Sequence, residues 1–232
     1  MDWSTGWDLL LSTQVPVLPD ALLMRWGRRL SWGLLLATGL MWAGRRWPLR
    51  LQRVLAVLVL VGSLWPGPVS PSFWLGLAFQ APSLTTVLLC AVALWRLWCG
   101  LGGVWRANGS TPTAWFWAAW AGLGLGWLLL FDSFAVLPGS LYAWGFSPMA
   151  LVLWVAGSVS LWVGAGARPG VREVVALCGG VAVLYVALRL PSGNLWDAVL
   201  DPWLWLGLHA LVLRQGLRWF KTRRHASAAI RA

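Results

Sequence analysis

Asp197 and Asp201 are the acids whose spacing invites a chemical reading: four residues apart, they share one face of a helix near the end of a long apolar stretch. His209 follows, roughly 12 Å further along the axis and about 80° round from Asp201. Two carboxylates and an imidazole in that order make a polar track for protons or a cation. A structural reading competes with it. In that reading Asp197 or Asp201 pairs with Arg189 across the short Pro191-Ser192-Gly193-Asn194 turn, and His209 hydrogen-bonds a neighbouring helix. Charges near the ends of apolar spans are cheap to hydrate, so the structural reading is the expected one.

A second constellation surrounds Pro82. The run Trp65-Pro66-Gly67-Pro68-Val69-Ser70-Pro71 leads into an apolar segment that Pro82 interrupts, with Gln80, Ser83, Thr85 and Thr86 beside it. A proline inside a helix frees backbone groups, and these polar side chains are placed to satisfy them. Transporters build substrate sites at such breaks, although ordinary proline kinks are far commoner. No partner break is evident in a second half of the chain, and no internal repeat is found.

Helix packing is the third signal. Ala118, Gly122 and Gly126 recur every four residues, as do Ala176 and Gly180. Such stripes let another helix approach closely, within this chain or in a partner subunit.

The exclusions are firmer. Histidine occurs only at 209 and 225, so a haem held by paired histidines in the membrane cannot be built within this chain, nor can a His-rich metal site. Lys221 is the only lysine and Glu173 the only glutamate. Cys90, Cys99 and Cys178 form no CxxC pair and read as small buried hydrophobes. Phosphate-binding, serine-hydrolase and zinc-protease motifs are absent. No catalytic residue, metal or cofactor is expected.

The elements that must position these residues follow from composition. Hydrophobic residues make up 59% of the chain, charged residues 11%, and mean hydropathy is +0.70. A soluble domain would carry about a quarter charged residues. Apolar runs of roughly 17–25 residues that do not alternate point to membrane helices rather than to a barrel. The expected fold is all-α: a polytopic transmembrane bundle spanning at 27–44, 51–65, 73–98, 113–131, 144–164, 171–189 and 196–214. Residues 1–24 read as an interfacial segment, 25–214 as the transmembrane domain and 215–232 as a basic tail on anionic headgroups.

Orientation follows from the basic residues. With the C-terminus inside, alternation places 14 of the 18 Lys and Arg on the cytoplasmic side, leaving Arg25, Arg28, Arg29 and Arg189 outside. The expected topology has the N-terminus periplasmic and the C-terminus cytoplasmic in a bacterial inner membrane. The three outer arginines before 27–44 conflict with the positive-inside rule, and six spans result if that segment does not cross.

The charge of +11 is spread over loops and span ends, which fits headgroups and not a nucleic-acid face. Many of the 22 tryptophans sit at predicted span boundaries, the position of an aromatic belt. Others (Trp120, Trp127, Trp154, Trp203, Trp205) lie deeper and read as packing bulk before they read as a wall for a quinone or pigment. The expected function is a non-catalytic accessory or scaffold subunit of a larger membrane complex, in contact with lipid and other membrane subunits. The alternative is a small-solute or ion transporter using the Pro82 break and the Asp197/Asp201/His209 face.

Overall fold

The computed structural model describes residues 12, 16–101, 113–165, 168 and 170–229, without the side chains of 113, 165 and 219–229. Among these residues the chain is helical throughout and has no strand. The helices are α1 (Ala21–Ala43), α2 (Leu49–Leu64), α3 (Pro71–Phe79), α4 (Leu84–Trp98) and α5 (Thr113–Ser133). Then come α6 (Leu141–Trp144), α7 (Pro148–Ala165), α8 (Val171–Leu188), α9 (Leu195–Val199) and α10 (Pro202–Ala229). Two of them, α5 over Ala114–Ser133 and α8, are long and apolar enough to cross a membrane. Both α4 and the Pro148–Gly164 part of α7 are apolar but shorter.

The first expected span becomes a longer helix than its apolar core suggested. Asp20 caps it, accepting from Leu22 N at 2.8 Å and Leu23 N at 3.2 Å, so α1 starts at Ala21 and runs unbroken for 23 residues. Its inner face buries Trp32, Ala37 and Met41 against α2 and α4, with Ala56 on the opposite side. Of the expected N-terminal segment, residues 1–11 and 13–15 lie outside the described region.

The 73–98 stretch is split, not merely kinked. After α3 the chain runs through Gln80, Ala81 and Pro82 before α4 begins. The residue before a proline is pushed out of the helical region, and Pro82 has no N–H with which to continue the ladder. The 196–214 stretch is split as well. Its short α9 ends at Leu200 in an extended conformation, and α10 restarts with Pro202 at its first position. A second break therefore exists where a continuous span was expected. The cause is the same, an X-Pro bond. The expected 215–232 tail continues α10 to Ala229 as backbone helix.

Neighbours pair as α1 with α2, α7 with α8 and α10 with α5, and α4 and α8 meet at the centre. The larger core gathers Leu84, Ala150, Val181, Tyr185, Leu195 and Ala198, so one half of each broken helix, α4 and α9, contributes to it. At the other end of α4, the Arg53 guanidinium donates to the Trp98 carbonyl at 2.6 and 3.1 Å. Its central carbon also stands 5.5 Å from the centroid of the Trp98 ring.

Candidate functional site

Both helix restarts carry an N-cap, and the two caps meet. Ser83 begins α4, and its Oγ accepts from Thr86 N at 3.2 Å. Asp201 begins α10, and its Oδ1 accepts from Leu204 N at 2.8 Å. The second oxygen, Oδ2, reaches across to α4. It accepts from Ser83 N at 2.8 Å, from Ser83 Oγ at 2.7 Å and from Thr86 Oγ1 at 2.5 Å. One carboxylate thus caps two helices, one through each oxygen. It is 7% exposed, and Ser83 is fully buried. The N-termini of α4 and α10 converge on it.

The first break is braced from α1. Trp32 donates its Nε1–H to the Gln80 carbonyl at 2.7 Å. Gln80 itself is exposed and holds φ +61, ψ −141, a backbone state that a side chain rarely adopts. Phe79 stands 6.3 Å from Trp32 and 4.9 Å from Trp203, tying the ends of α3 and α10 together through aromatic edges. Pro82 is buried beside Ser83, and Thr85 hydrogen-bonds the Ala198 carbonyl at 3.5 Å.

The residues singled out in the sequence are regrouped by this geometry. Ser83, Thr86 and Asp201, assigned to separate constellations, share one site. Asp197 and Asp201 do not share a helix face, because the break falls between them. Asp197 accepts instead from Tyr142 Oη at 2.7 Å and Ser192 Oγ at 2.5 Å. Arg189 ends α8 in a left-handed conformation with its guanidinium over the Tyr185 ring, 5.1 Å from the centroid. His209 Nδ1 lies 2.9 Å from the Trp205 carbonyl. A carbonyl only accepts, so Nδ1 carries the hydrogen. The imidazole packs edge-on to Trp205 at 4.6 Å and Trp127 at 6.1 Å.

The glycine stripe on α5 serves that cluster. A Cβ at Gly126 would stand 2.3 Å from the Trp205 ring, and one at Gly122 would stand 2.7 Å from Leu208 Cδ1. Ala118 is half-buried on the same helix. On α8, Gly180 faces Leu88 of α4, whereas Ala176 is exposed. Two of the deep indoles hydrogen-bond helix carbonyls: Trp154 to Cys178 at 3.1 Å and Trp205 to Leu123 at 3.4 Å.

A second polar node escaped the sequence reading. Asn194 is fully buried: its Oδ1 caps α9 through Trp196 N, and its Nδ2 donates to the Tyr142 carbonyl, both at 2.8 Å. Tyr185 Oη donates to the Gly193 carbonyl at 2.6 Å, Trp196 Nε1 to Leu141 O at 2.9 Å, and Leu195 N to Gly145 O at 2.9 Å. Asp132 closes the node by accepting from Leu141 N and Tyr142 N at 3.0 and 2.7 Å. Burial and the hydrogen bond to Asp197 push the Tyr142 phenol up to about 12. Among the described residues no group of three or more His, Cys, Asp or Glu stands ready to hold a metal ion. Compared with known proteins, the chain matches no family model, no curated protein and no solved structure.

Proposed function

We propose that this chain is a multi-pass inner-membrane protein acting as a non-catalytic scaffold subunit of a larger membrane complex. The observation that carries the reading is the state of Asp201. Its two oxygens are occupied by four donors of the same chain, so the most buried of the described acids serves as a pin between helices. The membrane part rests on α5 and α8 together with the apolar side chains turned outward elsewhere, such as Val163, Leu206 and Leu213. Taken as broken spans, α3 with α4 and α9 with α10 complete the count of seven, with the N-terminus outside and the C-terminus inside. Reporter fusions at residues 20 and 48 test the count, since opposite sides are expected and the same side means six spans.

Native mass spectrometry of the chain released from its own membranes tests the scaffold role. A stoichiometric assembly with other membrane subunits is expected; a stable lone monomer overturns it. A transporter is the second reading, favoured by one observation, that two interrupted helices aim their N-termini at a common point. Solute flux in proteoliposomes that disappears with Asp201→Asn, while the fold persists, would promote it over the first.

A further inference from the structure

The two ends of the bundle differ in charge. Asp20, Asp132, Asp197 and Asp201 all lie at the end where α1 begins, each occupied by hydrogen bonds within the chain. At the opposite end Glu173 is the only acid among the described residues, and it accepts from the Trp115 indole at 3.3 Å. Arg45, Arg46, Arg50 and Arg53 gather at that end, on the turn after α1 and the start of α2. Two of them are committed. Arg53 holds the Trp98 carbonyl, and the central carbon of Arg45 stands 5.3 Å from the centroid of the Trp42 ring. Arg46 and Arg50 are exposed and make no hydrogen bond or ion pair to another described residue.

From Arg50 onward the outward face of α2 is apolar for three turns. Val54, Leu58 and Val61 follow Arg50 at helical spacing, so all four share one stripe. The three apolar side chains are 56, 61 and 54% exposed, whereas Ala56 and Ser63 on the other face are buried against α1. The stripe rises roughly 16 Å from Arg50 to Val61. Exposed indoles flank its foot, Trp42 on the last turn of α1 and Trp47 on the connecting turn. Indoles beside arginines at the foot of an apolar face are the pattern of a membrane interface. An occupant that answers this face is apolar along its length and anionic at one end. A phospholipid has that order, and an acidic peptide matches only the foot.

We infer that the outward face of α2 seats an anionic phospholipid, with its phosphate at Arg46 and Arg50 and an acyl chain along Val54, Leu58 and Val61. The seat is an open surface and requires no cavity. A guanidinium grips phosphate through paired N–H groups. The inference rests on the membrane reading above and names the lipid for one face of it.

The full chain, purified in neutral detergent, is titrated with phosphatidylglycerol, phosphatidylcholine, inorganic phosphate and a short polyglutamate peptide, while tryptophan fluorescence follows its thermal unfolding. Phosphatidylglycerol alone is expected to raise the midpoint. Arg50→Gln should raise the concentration needed for half that effect about fivefold, and Arg46→Gln with Arg50→Gln about 25-fold. Arg46→Lys with Arg50→Lys keeps the charge and should keep most of the response. Leu58→Gln should weaken it severalfold through the apolar stripe. Arg25→Gln with Arg29→Gln, at the other end of the bundle, should leave it unchanged. Equal responses to both phospholipids overturn the seat, as does a response that survives loss of both Arg46 and Arg50. An equal response to polyglutamate makes the face a protein-docking surface, and an equal response to phosphate makes it an anion site without lipid; either overturns the proposal. Alkaline carbonate washing of the membranes separates the two readings. A chain that stays in the pellet but ignores phosphatidylglycerol overturns the lipid seat alone. A chain released by carbonate overturns the membrane reading and the seat with it.

Discussion

Asp201 joins the starts of two helices: the Ser83 N–H and Oγ both donate to its Oδ2, at 2.8 and 2.7 Å, while its Oδ1 caps its own helix through Leu204 N. A helix N-terminus leaves backbone donors without partners, and a buried one has no water to supply them. Here a single side chain answers two such ends, so its loss is felt on both.

Asp201→Ala leaves the buried donors of Ser83 and Thr86 without an acceptor, at a cost of about 1–3 kcal/mol for each unsatisfied group. Asp201→Asn retains one acceptor oxygen and is expected to fall between the two. Because Arg189 takes no part in the node, adding Arg189→Gln should restore nothing. Thermal unfolding in detergent measures this, and a rescue by Arg189→Gln would revive the ion-pair assignment.

Gly145 sits against the buried Asn194 amide so tightly that a Cβ would stand 1.9 Å from Oδ1. Gly145→Ala is expected to lower stability by at least about 1–3 kcal/mol, the range for overpacking a core. Asn194→Ala alone should also cost stability, through the lost α9 cap. Combined, the two should cost less than their sum, since the smaller side chain makes room for the new methyl. Additive losses in a double-mutant cycle would mean that the two do not touch.

The glycines of α5 should rank by what each faces. Nothing lies within 4 Å of a Cβ at Gly124, so Gly124→Ala is expected to stabilise by about 0.5–1 kcal/mol through helix propensity. Gly122→Ala presses on the movable end of Leu208 and should be mildly unfavourable. Gly126→Ala meets the rigid Trp205 ring and should be the worst of the three. The order of unfolding midpoints checks it.

Tyr142 should ionise near pH 12, about two units above an ordinary phenol. The neutral form is favoured in the folded chain. The stability linked to it is therefore complete below pH 10 and declines as pH rises from 10 towards 12. Ultraviolet difference titration of the chain against Tyr142→Phe isolates this group. Asp197→Asn should bring the midpoint down, and an unmoved midpoint would separate the phenol from the carboxylate.

Much of the helix pattern was legible because long apolar runs and their flanking arginines announce themselves; α2, α5 and α8 lie within a few residues of their expected limits. The break at Asp201 was also written in the chain, as an Asp-Pro pair in which Asp is a favoured cap and Pro a favoured first helical residue. The surrounding hydrophobicity hid it, since a continuous span explains Trp203 to Leu213 equally well. Pairing Ser83 with Asp201 was not legible, because capping signals say where a helix starts and not which distant end it faces. Asn194 escaped for a related reason. A lone asparagine beside a glycine reads as a turn, and its second role, donating to Tyr142, depends on how α6 packs.

The link between Ser83 and Asp201 spans 118 positions of sequence. During synthesis α4 is complete long before its acceptor exists, and its first turn stays open while α5 to α9 are made. The last helix therefore acts as a latch: only its arrival closes the first break. A ribosome-stalled chain ending before Asp201 should leave Ser83 accessible to solvent exchange, and one extended past Leu204 should protect it.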